Sequence, residues 1–149
     1  MALPLMPECS QGCGAPRAQL SYDFPADIEA LPAIVEEVTG LAARRWGADS
    51  DKAAQVALAL QEALANAVVH GCGEDTSKRV QCWVAEEPAK GLIIMVRDPG
   101  PGFDAAHPPD ALGEQGRTLD HGRGVLLMKQ LMDHVHFMGR GNEVHMTLA

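Results

Sequence analysis

The stretch "LIIMV", Leu92 to Val96, is the part of the chain that most restricts the fold. Five apolar residues in a row leave no side for water. Such a run predicts a central strand covered on both faces, by helices, a partner subunit or both. Just upstream, "KRVQCWVAEE" alternates Val80, Cys82 and Val84, the pattern of a second strand. Only the Pro88–Gly91 turn separates the two, so an antiparallel hairpin is expected.

The rest of the chain has to supply the cover. "AQLSYDFP" alternates Leu20, Tyr22 and Phe24 and reads as a strand stopped by Pro25. Then Leu31, Ile34, Val35, Val38, Leu41 and Ala42 keep helical period, with Asp27 as N-cap and Gly47 as the stop. Pro32 sits early, so the regular helix is expected to begin near it. "DSDKAAQVALALQEALANAVVHG" reads as a second helix, capped by Asp49 or Ser50 and closed by Gly71. "VLLMKQLMDHV" reads as a third, with Leu126, Leu127, Leu131 and nearby Met residues inward. "HVHFMG" and "EVHMTL" read as two short strands joined by "GRGN". The order β-α-α-β-β-loop-α-β-β argues for a two-layer α/β (α+β) sandwich. Its sheet is mixed and mostly antiparallel, with three helices on one face.

Composition sets the outer limits. A length of 149 residues with 46% hydrophobic content suits one domain with a real core. Residues 1–17 carry no pattern and read as a flexible tail, leaving 18–149 as the domain. Pro4, Pro7 and Glu8 interrupt any signal-peptide core. No run approaches the ~18 apolar residues of a membrane span, so a cytoplasmic protein without membrane contact is expected. A net charge of −8 with no basic stripe argues against direct nucleic-acid binding. Cys9, Cys13, Cys72 and Cys82 contain no CxxC pair and read as free thiols rather than zinc ligands. His134, His136 and His145 read as solvated strand positions, because no carboxylate or Cys completes a ligand set.

Three stretches carry chemistry. In "ALQEALANAVVHG", Leu60, Leu64 and Val68 form one apolar helix face, while Glu62 and Asn66 fall four residues apart on another. That second face also holds Leu58 and Val69, so it does not read as an ordinary solvated side. In "RDPGPGFD", Asp98 ends the buried strand at the sheet rim. A carboxylate held there accepts hydrogen bonds, and Gly100 and Gly102 let the backbone approach a ligand. By itself this segment also fits a tight turn whose Asp satisfies local amides. In "DHGRGVLLMKQLMD", Gly122, Arg123 and Gly124 directly precede a helix. Its unpaired N–H groups and dipole suit phosphate. Neither a Walker A pattern nor a Rossmann fingerprint is present. The Gly-rich stretch from Pro99 to Gly124 has no hydrophobic period, and a loop of that length in a compact domain is usually functional.

In this order and spacing, "EALANAVVHG", "DPGPGF" and "HGRGVLLMKQLMD" resemble the ATP-binding domain of the GHKL superfamily, with its Bergerat fold. Within it they look like the anti-sigma-factor serine kinases of the RsbW/SpoIIAB type. The resemblance covers about residues 18 to 148. It implies that Asn66 binds Mg²⁺ bridging the phosphates of ATP or ADP, and that Glu62 is the general base or orients the hydroxyl. It implies that Asp98 bonds the adenine amine, with Gly100 and Gly102 shaping the adenine side. Gly122, Arg123, Gly124 and the amide of Val125 would meet the phosphates. His70, one turn past Asn66, would reach a phosphate as well. The span from Gly102 to Gly122 would be an ATP lid. A Glu among apolar neighbours suits base work near neutral pH.

The implied activity is protein serine/threonine phosphorylation. The implied partners are a STAS-domain anti-anti-sigma protein, a sigma factor and a second copy in a homodimer. Rival readings are a nucleotide-dependent binding module and a stressosome-type switch kinase without sigma binding. Retention of both Glu62 and Asn66 argues against a dead module. A histidine-kinase catalytic domain is disfavoured, since no upstream helix pair bears a phospho-accepting His. One departure stands out: the last turn reads "GNEV" where the family often has Gly-Thr, so Asn142 is not expected to supply a phosphate-side hydroxyl.

Overall fold

A computed structural model describes residues 18–101, 120–139 and 142–149, with the backbone alone at residues 18 and 120–123. The tail at residues 1–17, Cys9 and Cys13 within it, Gly102 and most of the expected lid lie outside these residues.

The elements are β1 (Ala18–Pro25), α1 (Leu31–Trp46), α2 (Asp51–Ala65), β2 (Arg79–Glu87), β3 (Gly91–Arg97), α3 (Asp120–Leu131), β4 (His134–Met138) and β5 (Glu143–Leu148). The strands form a five-stranded sheet in the order β1-β2-β3-β5-β4. "LIIMV" therefore lies on the central strand. Every pairing is antiparallel, so the β2–β3 hairpin is as expected, and the sheet holds no parallel pair among the described strands.

Register divides the sheet into two faces. Leu20, Val84, Ile94 and Met146 lie side by side across four strands and belong to the core with the helices. On β5, Val144, Met146 and Leu148 are buried and the residues between them half-buried, the alternation of a strand packed on one side. Trp83 and Met95 pair on the opposite face and are buried too. Ile93, on that same opposite face, is only half-buried, so of the cover expected on both faces the helices supply one.

Local chemistry accounts for the helix boundaries. Asp27 caps a 3₁₀ turn, Ile28–Ala30, by accepting from the Glu29 amide at 2.9 Å. The α-helix then starts at Leu31 beside Pro32 and stops at Gly47, whose φ of 102° reverses the chain. Ser50 is the N-cap of α2, accepting from the Lys52 amide at 3.1 Å. Leu60, Leu64 and Val68 are fully buried against the sheet. Leu58 is 42% exposed, so the face expected to avoid water is open at its N-terminal end.

Two expectations need correction. α3 begins at Asp120 rather than after Gly124. Its inward stripe is Val125, Met128 and Met132, while Leu126 is half exposed and Leu127 only half-buried. The spacing i, i+3, i+7 starting at Val125 is itself one helical face. A run of consecutive leucines cannot all lie on it.

Candidate functional site

The second helix changes register at the residues of interest. Asn66 donates its backbone N–H to the carbonyls of both Glu62 and Ala63. From Asn66 to Gly71 the chain forms a π-helical turn, and the Cys72 amide donates to Ala67 at 2.9 Å, five residues back. Insertions of this kind occur often at functional sites. The α-helix expected to continue to Gly71 therefore ends at Ala65. The wider repeat also removes the one-turn alignment of His70 with Asn66. His70 is exposed. Gly71, five residues past Asn66, is the residue that meets the sheet rim.

Gly71 lies against Asp98 so closely that an added Cβ would collide with the carboxylate, Oδ2 standing only 2.6 Å away. Gly100 completes the enclosure. Its amide donates to Asp98 Oδ1 at 2.7 Å, and a Cβ there would run into the Gly71 carbonyl. Both positions thus require Gly by close approach. The carboxylate of Asp98, half-buried at the end of β3, is confined between them. Cys72 lies beneath, 2% exposed. Its thiol pKa is pushed up by burial first and by the nearby Asp98 charge second.

Gly124 makes the second junction. A Cβ on it would lie 2.8 Å from Glu62 Oε2 and 3.4 Å from both amide atoms of Asn66. α3 therefore passes directly over the paired side chains of α2, both half-buried. The two helices run antiparallel, with Gln55 Nε2 donating to the Leu131 carbonyl at 2.8 Å at the far end. Asp120–Arg123 form the first described turn of α3, and N–H groups near a helix N-terminus suit an anion. Gly122 and Arg123 fall in that turn. Gly124 and Val125 fall in the next, and Val125 is buried in the core.

Glu62, Asn66 and Gly124 thus meet at one junction, and Asp98, Gly100 and Gly71 at another. The second helix joins them. The chemistry available is a carboxylate and an amide oxygen beside a helix N-terminus, and a confined carboxylate acceptor at the sheet rim. The donor set at the first junction fits a hydrated hard cation, which favours oxygen ligands. Its Gly124 cradle leaves space that any side chain would fill.

Sequence reasoning missed Gly71 and Asn142. Gly71 looked like a helix stop and proves to be a contact. The signal was its place one residue past His70, within the motif. Asn142 donates its side-chain amide to the Asp98 carbonyl at 2.6 Å. Its position in a turn gave no hint of this partner. Of the histidines expected at solvated strand positions, His134 and His136 are exposed and stack with centroids 6.3 Å apart, but His145, opposite His136, is half-buried with Nε2 3.7 Å from Glu143 Oε1, so the solvated reading fails there. Among the described residues no group of three His, Cys, Asp or Glu could hold a metal. Cys72 and Cys82 are free and buried. No described helix is long and apolar enough to cross a membrane.

Comparison with known proteins adds one finding. No curated protein matches the chain. The model for the histidine kinase-like ATPase domain matches residues 24–148, nearly the whole described fold and all three motif stretches. The chain therefore belongs to the histidine kinase-like ATPase domain family, and is an ATP-binding domain of kinase-like type.

Proposed function

We propose that the chain is an ATP-dependent protein serine kinase and anti-sigma factor. It phosphorylates a serine on a STAS-domain anti-anti-sigma protein and sequesters a sigma factor, so that partners exchange with phosphorylation state. The observation that carries the kinase reading is the packing of Gly124 on Glu62 and Asn66 together. It brings a carboxylate and an amide side by side near the start of α3, which suits a base and a metal ligand.

In this reading Asp98 accepts from the exocyclic amine of adenine, and Gly71 and Gly100 hold its carboxylate in place. Gly122, Arg123, Gly124 and the amide of Val125 meet the phosphates. Asn66 would hold Mg²⁺ through its amide oxygen, and the ion, when bound, would neutralise phosphate charge. Glu62 takes the proton of the substrate serine while the serine oxygen attacks the γ-phosphorus. The bond from that phosphorus to the β–γ bridging oxygen breaks, and ADP leaves. Most of the acceleration then comes from positioning and charge neutralisation, with general base catalysis adding about 10²–10⁴-fold.

The test is a pull-down from the source cell with ATP and with ADP, analysed by mass spectrometry, followed by transfer from radiolabelled ATP to the recovered STAS protein. Recovery of a STAS protein and a sigma factor is expected. Glu62→Gln should bind ATP within about threefold of the parent and lose transfer by roughly 10²-fold or more. Undiminished transfer by that variant would remove Glu62 from the base role. ATP binding with no labelled partner would leave a nucleotide-dependent binding module.

A further inference from the structure

The turn from β4 into β5 also anchors the sheet rim. The β3–β5 ladder ends at Arg97 paired with Glu143. One position further, the Asp98 amide donates to the Asn142 carbonyl at 3.0 Å. The return bond comes from the Asn142 side chain, whose Nδ2 donates to the Asp98 carbonyl at 2.6 Å. In a continuing antiparallel pair a backbone N–H would donate there. A side chain closes this rung instead. The peptide groups on both sides of the Asp98 Cα are therefore tied to one residue.

The carboxylate has separate restraints. Gly100 donates to Oδ1 at 2.7 Å, and Gly71 packs against the carboxyl group. Those contacts limit rotation of the side chain but do not fix where its Cα sits. Asn142 acts on the backbone at that point, through both bonds.

We propose that Asn142 is a positioning residue for purine recognition, setting the height of Asp98 so that its carboxylate meets an exocyclic amine. This rests on the reading of Asp98 as the adenine acceptor. A hydrogen bond to a base depends steeply on distance and angle, so loosening the Asp98 backbone weakens that bond selectively. Contacts to ribose and phosphates, made from other elements, are left as they were.

The experiment compares calorimetric affinity for ATP and for inosine triphosphate, whose base carries a carbonyl in place of the amine. The proteins are the parent, Asp98→Asn, Asn142→Ala and Asn142→Asp; the last keeps the shape of Asn but not the N–H donor. Thermal melting accompanies each. Asp98→Asn should abolish the preference for ATP. Both Asn142 variants should melt cooperatively and lower the ATP-to-inosine-triphosphate affinity ratio about three- to tenfold, the size expected for one hydrogen bond. If Asp98→Asn abolishes the preference while both Asn142 variants keep the parent ratio, Asn142 does not position the acceptor. Equal loss for both nucleotides would likewise overturn the proposal, as a general structural effect. If Asp98→Asn keeps the preference, the purine reading of Asp98 itself fails.

Discussion

Asn66 stands where two helical repeats join. Its amide N–H is shared by the Glu62 and Ala63 carbonyls, so its backbone closes the α-helix while its side chain stands beside Glu62 under Gly124. The side chain is not needed for either backbone bond. Asn66→Ala should therefore leave the fold intact. If the amide oxygen holds Mg²⁺, the variant should weaken Mg²⁺-ATP binding at least about tenfold, since even residues outside a metal's ligand set commonly cost 10–100-fold. Calorimetry in the presence and absence of Mg²⁺ checks this: an unchanged affinity with Mg²⁺ would exclude the ligand role. At this scale the sequence was informative about residue type and silent about contact. Glu62 and Asn66 were readable as a pair from their spacing. The collision that a Cβ at Gly71 would make with Asp98 joins residues 27 positions apart, and no local pattern encodes it.

Among the elements, α3 shows how stability and function separate. Gly124 lies within the helix, where Gly costs about 0.5–1 kcal/mol relative to Ala. Gly124→Ala should recover part of that. The new methyl would displace the tip of Glu62, a flexible side chain able to move aside, and come into contact with the Asn66 amide. The expected result is a melting temperature equal to or above that of the parent, with phosphotransfer reduced at least about tenfold. Loss of both stability and activity would instead mean that α3 cannot tolerate the group at all. Hydrophobic period located α1 and α2 well, because each keeps one apolar face over several turns. It misjudged α3, because Val125 to Met128 is apolar at every position and the period is hidden. It also missed the π-turn, since the wider repeat lasts a single turn.

On the scale of the whole molecule, one core lies between the helix layer and the sheet. Leu64 is fully buried in it, whereas Leu126 on α3 is half exposed. Leu64→Ala should cost about 2–5 kcal/mol, because burial is lost and a cavity remains. Leu126→Ala should change stability by less than about 1 kcal/mol. Urea unfolding followed by circular dichroism distinguishes them, and equal midpoints would contradict the layer arrangement. Layering was legible from the sequence for a simple reason. A five-residue apolar strand has to be covered, and the amphipathic helices flanking it in sequence are able to cover one of its faces.

What the sequence determined by itself is whatever depends on near neighbours: the element order, the hairpin, a cap at Asp27 and another at Asp49 or Ser50, and the three motif stretches matching the family. What only the tertiary structure decided is which atoms those stretches bring together. Gly124 over Glu62 and Asn66, Gly71 against Asp98, and Asn142 tied to the Asp98 backbone are all contacts between segments far apart in the chain. Their geometry is set by how the helix layer settles on a twisted sheet. That depends on the packing of the core as a whole, which no short window of residues contains.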